Sequence, residues 1–312
     1  MKQNSQSSSL PWFSLIIPVF NEEDAIERTI HEACLALQDI KGKWEILVVD
    51  DGSTDNTAKF LEKLSCGHVR VISHGKNHGN GAAIQTGVRH AMGAWLGTVD
   101  ADGTYPIASI PLLLEKMYNE HMDMVVGART KRGVRIPWNR RPAKAVIGLL
   151  ANFLVGERIP DINSGLRIFT RELFDKFTHL YPDGFSLHMT ITLGALTNGY
   201  RVLFEPIDYF NRLGPSTMSS GLNGVKHFIG FLGLIVRIVT YFRPLKFFVL
   251  PSVFCIVGGV LLTMYTFAVR YDVTETALLL IIVGIQIGFF GLLADVLVRH
   301  QQSNKQFVRN TD

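Results

Sequence analysis

The first hundred residues contain four short apolar runs, and three of them break off into acids. Phe13–Ile17 is followed, past Pro18, by Asn21, Glu22, Glu23 and Asp24. Glu45–Val49 runs into Asp50 and Asp51, and Ala94–Val99 into Asp100 and Asp102. Val69–Ser73, third in order, leads instead into a glycine-rich stretch that ends at Ala83. Runs of this length without polar alternation suit strands buried on both faces, and the stretches between them suit crossover helices. The alternation predicts an α/β fold with a right-handed, mostly parallel sheet covered on both sides, its acidic strand ends gathered at one crevice. Ligands of such sheets bind beyond the carboxyl ends of the strands.

Asp100-Ala101-Asp102 is the sharpest of these ends. In extended backbone, residues two apart point the same way, so both carboxylates reach one hard cation, and Ala101 leaves space for a ligand. A bare Asp-x-Asp arises by chance in solvated turns; the preceding strand is what gives this one weight. The other acids have plainer uses. Asn21 is placed to cap a helix, with Glu22 and Glu23 in its first turn, and Ser53 or Asp55 to cap the next. Gly79-Asn80-Gly81 opens like a dinucleotide fingerprint, but it follows the third strand and lacks the third glycine. It predicts close backbone approach to a ligand, not a nicotinamide site.

Met124–Ala128 reads as a fifth strand, followed by Arg129, Lys131, Arg132, Arg135, Arg140, Arg141 and Lys144. A loop this basic at a strand end suits a phosphate-bearing acceptor at an anionic surface, with Arg129 foremost and Lys131 and Arg140 behind it. The net charge of +4 is too mild to argue for nucleic acid. Cys34, Cys66 and Cys255 have no paired spacing, which sets aside a disulfide framework and a thiolate zinc site. The polar, Ser-rich N-terminus predicts no cleaved signal peptide.

Residues 247–269 and 276–298 are each apolar enough and long enough to cross about 30 Å of hydrocarbon. Their short connection makes them a hairpin. Arg237, Arg243 and Lys246 before it, with Arg299, Lys305 and Arg309 after it, place both ends, and hence the preceding domain, in the cytoplasm. Gly284-x-x-x-Gly288 permits close helix approach, within the hairpin or between copies in a homo-oligomer. The segment 218–243, apolar but interrupted by Lys226, His227 and Arg237, suits helices in the headgroup region. The expected division is a tail over 1–10, a domain over 11–217, interfacial helices over 218–243, a hairpin over 244–300 and a tail over 301–312.

Four motifs in order, Pro18-x-Phe20-Asn21-Glu22, Val49-Asp50-Asp51-Gly-Ser53, Asn77-x-Gly79 with Gly81, and Asp100-Ala-Asp102-Gly, resemble the inverting family 2 glycosyltransferases of GT-A fold. The resemblance implies that Pro18, Phe20, Asn21, Glu22, Asp50 and Asp51 hold the base and ribose of a nucleotide sugar. It extends the donor set to Asn77, Gly79, Ala82 and Ala101, and implies Mg²⁺ or Mn²⁺ on Asp100 and Asp102. Thr104 stands where lipid-phosphate members often carry Gln. Asp161-Ile-Asn-Ser164-Gly165-Leu-Arg167 resembles the acceptor-side segment, which brings Asp161 near the acceptor and Ser164 and Arg167 toward its phosphate. An Asp161–Arg167 ion pair is the competing reading. Arg212 and Ser216 resemble a loop closing over the diphosphate, with Thr217 where lysine is common. With the hairpin included, the chain is similar to the polyprenyl-phosphate glycosyltransferases, the group of dolichol-phosphate mannose synthases and bacterial undecaprenyl-phosphate glucosyltransferases.

The resemblance implies metal-dependent, inverting transfer of a hexose from a UDP- or GDP-sugar to a polyprenyl phosphate, at a bacterial cytoplasmic membrane. Asp102, Asp161, Arg129 and Arg212 carry the chemistry on this reading. Asp161 is a base if the acceptor is a hydroxyl and an orienting group if it is a phosphate. Two rivals stand beside it: transfer to a hydroxyl of a glycolipid or polysaccharide, and an idle nucleotide-binding scaffold for a membrane partner. No tryptophan follows an arginine, which counts against the processive branch of the first rival.

Overall fold

The structure, a computed structural model, describes residues 12–40, 42–64, 66–131, 148, 151–153, 155–184, 187–212, 233 and 244–309. Arg140, Ser216 and nearly all of the segment 218–243 lie outside the described residues. The chain separates into two compact units, Met1–Gly148 with Arg158–Phe228, and Leu149–Glu157 with Ile229–Asp312.

The first unit is built on a seven-stranded sheet in the order β3-β2-β1-β4-β6-β5-β7. Its strands are β1 (Phe13–Val19), β2 (Trp44–Asp50), β3 (Val69–Ser73), β4 (Trp95–Thr98), β5 (Met124–Ala128), β6 (Arg167–Thr170) and β7 (Val202–Pro206). The sheet is mostly parallel, as the alternating pattern requires. β6 alone among these runs antiparallel, wedged between β4 and β5. All seven residues of β1 are buried, so a strand read as covered on both faces is so covered. Pro18 does not stop it: the strand continues to Val19, opposite Asp50. β3 stands at the edge and is half exposed, consistent with its weaker apolar run.

Helices α1 (Ile26–Gln38), α2 (Thr57–Glu62), α3 (Asn80–His90) and α4 (Ile110–Asn119) are the crossovers of the parallel part. α1 shows the logic: Ile26, Ile30, Ala33 and Leu37 recur at helical spacing and are all buried in the cluster with Leu15, Ile17 and Ile46. Each of the Ile and Leu side chains contributes ~1.5–3 kcal/mol by leaving water. Later come α5 (Arg171–Lys176), capped by the Thr170 hydroxyl, and α6 (Leu187–Thr197), buried over most of its length.

The second unit holds α7 (Pro244–Arg270) and α8 (Glu275–Arg309), an antiparallel hairpin turned by four residues. Pro244–Arg270 and Glu275–Val298 are long and apolar enough to cross a membrane, and only 11% and 17% of their most apolar windows are buried in the structure. Outward residues such as Phe254, Met264 and Phe289 are exposed in the structure, as the lipid-facing side of a membrane hairpin would be. A Cβ on Gly284 would meet Ile256 at 2.6 Å and the Ser252 carbonyl at 2.9 Å. The glycine pair thus serves packing inside the hairpin, where Ser252 Oγ also donates to the Gly284 carbonyl at 2.7 Å.

Candidate active site

The parallel strands deliver their carboxyl ends to one rim, and the loops beyond β1 and β2 are laced together there. Asn21 Oδ1 accepts the Thr54 N–H at 2.7 Å, Ser53 Oγ accepts the Asn21 N–H at 3.0 Å, and Thr57 Oγ1 accepts the Glu22 N–H at 3.0 Å. Asn21 sits at φ +54°, where Asn is better tolerated than most residues. It does not cap α1, which begins at Ile26 after Ala25 with no side-chain cap. Its amide serves the cross-loop tie instead.

Asp50 accepts the Ser53 N–H at 3.0 Å. Asp51 is fully engaged: Oδ1 meets His74 Nδ1 at 2.7 Å and the His78 N–H at 3.0 Å, and Oδ2 takes the Gly79 N–H at 2.7 Å. It shapes the wall of the crevice from beneath. The glycines that follow approach the chain at 182–184. A Cβ on Gly81 would lie 2.1 Å from the Pro182 carbonyl oxygen, and Gly79, at φ +104°, 2.6 Å from that of Asp183. The N–H groups of Gly81 and Ala82 donate to the Gly184 and Asp183 carbonyls, so the start of α3 is closed by protein. Ala101 is also packed against protein. It is buried in the core cluster and its carbonyl accepts Thr29 Oγ1, so its small size serves packing beneath α1. Pro18 is buried within β1, Phe20 is half-buried and Asn77 is exposed.

Asp100 emerges from β4 against Gly165. A Cβ there would lie 2.3 Å from Asp100 Oδ2, so only glycine leaves room for the carboxylate. Gly165 is itself pinned: its N–H donates to the Tyr105 oxygen at 2.7 Å, and its carbonyl accepts Thr98 Oγ1 at 2.8 Å. Among the described residues nothing donates a hydrogen bond to Asp100. Burial, and next the charge of Asp102, push its carboxyl up to about 6, against the opposing pull of Arg129, Arg167 and Arg212. Asp102 is held by Thr104, whose N–H and Oγ1 both donate to Oδ1, at 3.1 and 2.6 Å. Its Oδ2 faces Arg212 Nη1 at 3.4 Å, while Arg212 Nη2 pairs with Glu22. Burial pushes Glu22 up to about 7, with Arg212 opposing and Asp102 and Asp100 adding to the rise.

Two carboxylates from one strand end, one of them lacking any donor, fit a hard divalent cation. Among the described residues no group of three or more His, Cys, Asp or Glu is arranged to hold a metal. A cation here would need further oxygens from phosphate and water, the usual arrangement for Mg²⁺ at nucleotide sites.

Arg129, at the end of β5, is fixed on three sides. Asp161 grips it through Nε at 2.7 Å and Nη2 at 2.9 Å, and also accepts its backbone N–H at 3.0 Å. Nη2 reaches the Asn163 carbonyl at 3.0 Å, and the Tyr209 ring lies 5.2 Å beneath the guanidinium carbon. Burial is the largest single influence and works against its charge, but the hydrogen bonds it donates to Asp161 and the electrostatic pull of Tyr105, Asp161 and Tyr209 together hold the guanidinium above its ordinary value. Nη1 is left without a hydrogen bond among the described residues.

Three acceptor-side expectations land elsewhere. Arg167 does not pair with Asp161. It lies fully buried in β6, its fork spent on the Ser164 and His188 carbonyls and Thr192 Oγ1, and burial pushes it down to about 10. Ser164 is buried and donates to the Gly127 carbonyl at 2.6 Å. Lys131 forms an exposed ion pair with Asp208 at 3.0 Å. Sequence reasoning missed Tyr105 and Tyr209, which brace Gly165 and Arg129; Tyr209 comes three residues after the end of β7, and that place just past a strand end was the available signal. It also missed His188, which burial and then the charge of Arg167 hold well below its usual range.

The sequence profile described as "Glycosyl transferase family 2" matches residues 14–178, more than half of the chain. The chain belongs to glycosyl transferase family 2. A second profile, "GtrB C-terminal hairpin", matches residues 243–299, the whole of α7 and most of α8. The chain is 33% identical over 165 residues to an undecaprenyl-phosphate 4-deoxy-4-formamido-L-arabinose transferase of Salmonella choleraesuis (strain SC-B67). That match takes in 52% of this chain and 50% of the relative, so the chain spans about half the length of that curated relative. Among solved structures, glucosyl-3-phosphoglycerate synthase of Mycobacterium tuberculosis with Mn²⁺, UDP and phosphoglyceric acid superposes with a TM-score of 0.58 at 19% identity, covering 73% of this chain and 78% of that one. S. aureus TarS 1-349 with UDP-GlcNAc gives 0.53 at 22%, covering 72% and 66%. These likenesses show the glycosyltransferase fold of the sheet domain.

Proposed function

We propose that this family 2 glycosyltransferase moves a hexose from a UDP- or GDP-sugar onto a polyprenyl phosphate, with inversion, at the cytoplasmic face of a bacterial inner membrane. The observation that carries the reading is the Asp100–Asp102 pair with Arg212 on one side and a locked Arg129 within electrostatic reach of Asp100. A relative named as an undecaprenyl-phosphate transferase supports the acceptor class, and the hairpin supports a substrate presented at headgroup depth. Cations flanking the hairpin, Arg243 and Lys246 before it and Arg299 and Lys305 after it, support the cytoplasmic side.

Asp100 and Asp102 would hold Mg²⁺ or Mn²⁺, which would neutralise the charge developing on the departing diphosphate. Thr104 keeps Asp102 in place for it, and Gly165 gives Asp100 its room. Arg212 adds a donor beside the same pair. Arg129, over the Tyr209 ring and gripped by Asp161, offers Nη1 to an acceptor phosphate. A phosphate monoester has a second pKa of about 6 and is mostly dianionic at neutral pH, so it attacks without a base. Asp161, committed to Arg129, supports this acceptor over a hydroxyl, which would need a carboxylate free to take a proton.

The test is to incubate membranes containing the full chain with radiolabelled UDP- and GDP-sugars and follow label into the organic-extractable fraction. Cation-dependent transfer is expected, abolished by Asp102→Asn. Label moving only into aqueous polymer, or transfer indifferent to chelator, overturns the proposal.

A further inference from the structure

The resemblance of Pro18-x-Phe-Asn-Glu22 to its family implies that Glu22 touches the base or ribose of the donor. The geometry gives it another partner. Glu22 pairs with Arg212, which lies 190 residues further along the chain, and only its backbone N–H is tied to the neighbouring loop, through Thr57. Arg212 divides its donors unevenly. Nη2 is held closely by Glu22, Nη1 reaches Asp102 Oδ2 across a longer 3.4 Å, and Nε is buried with no hydrogen-bond partner among the described residues. A buried guanidinium N–H without an acceptor is a vacancy that a ligand oxygen would fill.

The two acids are not equivalent. Asp102 is one of the pair suited to a cation, and a cation there competes with Arg212 for Oδ2. Glu22 has no such rival, and its contact is the closer one. Arg212 would then retain Glu22, release Asp102, and present both the released Nη1 and the orphaned Nε to whatever anion accompanies the cation. That anion, on the proposed function, is the donor diphosphate.

We propose that Glu22 is a positioning residue that anchors Arg212 through Nη2, so that the guanidinium meets the donor diphosphate, and that Glu22 is not a nucleoside contact. This rests on the reading above that a nucleoside diphosphate binds at Asp100 and Asp102.

The experiment is equilibrium binding with the full-length protein in detergent and Mg²⁺, using UDP and GDP against uridine and guanosine by competition with a fluorescent nucleotide. The proteins are wild type, Glu22→Gln, Arg212→Ala and the double variant. Each single change is expected to weaken diphosphate binding about tenfold while leaving the nucleoside within twofold. The double variant is expected to be no weaker than either single, because both remove the same interaction. Losses that multiply to about a hundredfold overturn the inference, as does a Glu22→Gln loss equal for nucleoside and diphosphate. If Glu22→Gln fails to fold, as thermal melting would reveal, Glu22→Asp keeps the charge one methylene short of the guanidinium and completes the cycle. Failure of the wild type to bind either diphosphate overturns the proposed function itself; binding with multiplicative losses overturns only the anchor.

Discussion

Gly165→Ala isolates the contribution of the cation site with a single methyl group. Its Cβ would fall 2.3 Å from Asp100 Oδ2 and 2.6 Å from Cγ, whereas ordinary contact begins near 3.4 Å. The backbone cannot yield easily, because Gly165 is pinned by Tyr105 on its N–H and Thr98 on its carbonyl. The carboxylate is the movable partner, and it must retreat by about an ångström. Misplacing a catalytic group by that distance costs on the order of a hundredfold, or about 2.7 kcal/mol of transition-state stabilisation. Rotation of one side chain costs the fold far less, so melting temperature should change little while turnover collapses. The assay is sugar transfer across a series of Mg²⁺ concentrations. Half-activation should require more cation, and kcat/KM at saturating cation should fall about a hundredfold. Transfer within threefold of wild type at unchanged cation demand would refute the placement of the metal on Asp100.

Asp161→Asn should destabilise the protein by about 3 kcal/mol, because it leaves the Arg129 guanidinium buried without its counter-charge; chemical denaturation measures the loss, and a value under 1 kcal/mol would deny the pairing. Gly81→Ala should cost about 2 kcal/mol through a clash with the Pro182 and Gly184 carbonyls, while Gly67→Ala, with nothing near its Cβ, should leave the melting temperature unchanged. For pH, Asp100 is raised from 3.8 to about 6 by burial and Asp102, so the folded, cation-free protein binds its proton more tightly than the unfolded chain does. That contribution to stability is complete below the unfolded value near 4 and is lost as pH rises through about 6. Mg²⁺ must displace the proton at low pH, so the Mg²⁺-induced rise in melting temperature should be larger at pH 7 than at pH 5, and equal rises would contradict the assignment.

Much of the sheet was legible because burial on both faces writes itself as uninterrupted apolar runs. Phe13–Ile17, Glu45–Val49, Val69–Ser73 and Met124–Ala128 all became strands, and the acids after the first two gathered with Asp100 and Asp102, which follow β4, at one rim. β6 was not read as a strand. Arg167 opens it, and a cation at the head of four residues looks like surface until the register sets it opposite Thr98 and Val126 on interior strands. That same register decides between the rival partners of Asp161: Arg167 is swallowed by the core and Arg129 is left at the strand end to receive the carboxylate. Asn21 misled because an Asn before a helical pattern is a common cap, whereas here a positive φ turns its amide across to Thr54. What the small residues make room for is not written in the sequence. Gly79, Gly81 and Ala101 announce that something comes close, but a sequence does not say whether the visitor is a ligand or another stretch of the same chain.

The sealing of α3 carries a further consequence. Dinucleotide folds cradle phosphates on free amides at the start of a helix. Here those amides already serve the Asp183 and Gly184 carbonyls, so that cradle is closed off. A pyrophosphate entering this cleft would depend on a borrowed ion and on guanidinium groups for nearly all its compensation. EDTA should therefore empty the protein of its donor, and not simply leave a loaded enzyme idle.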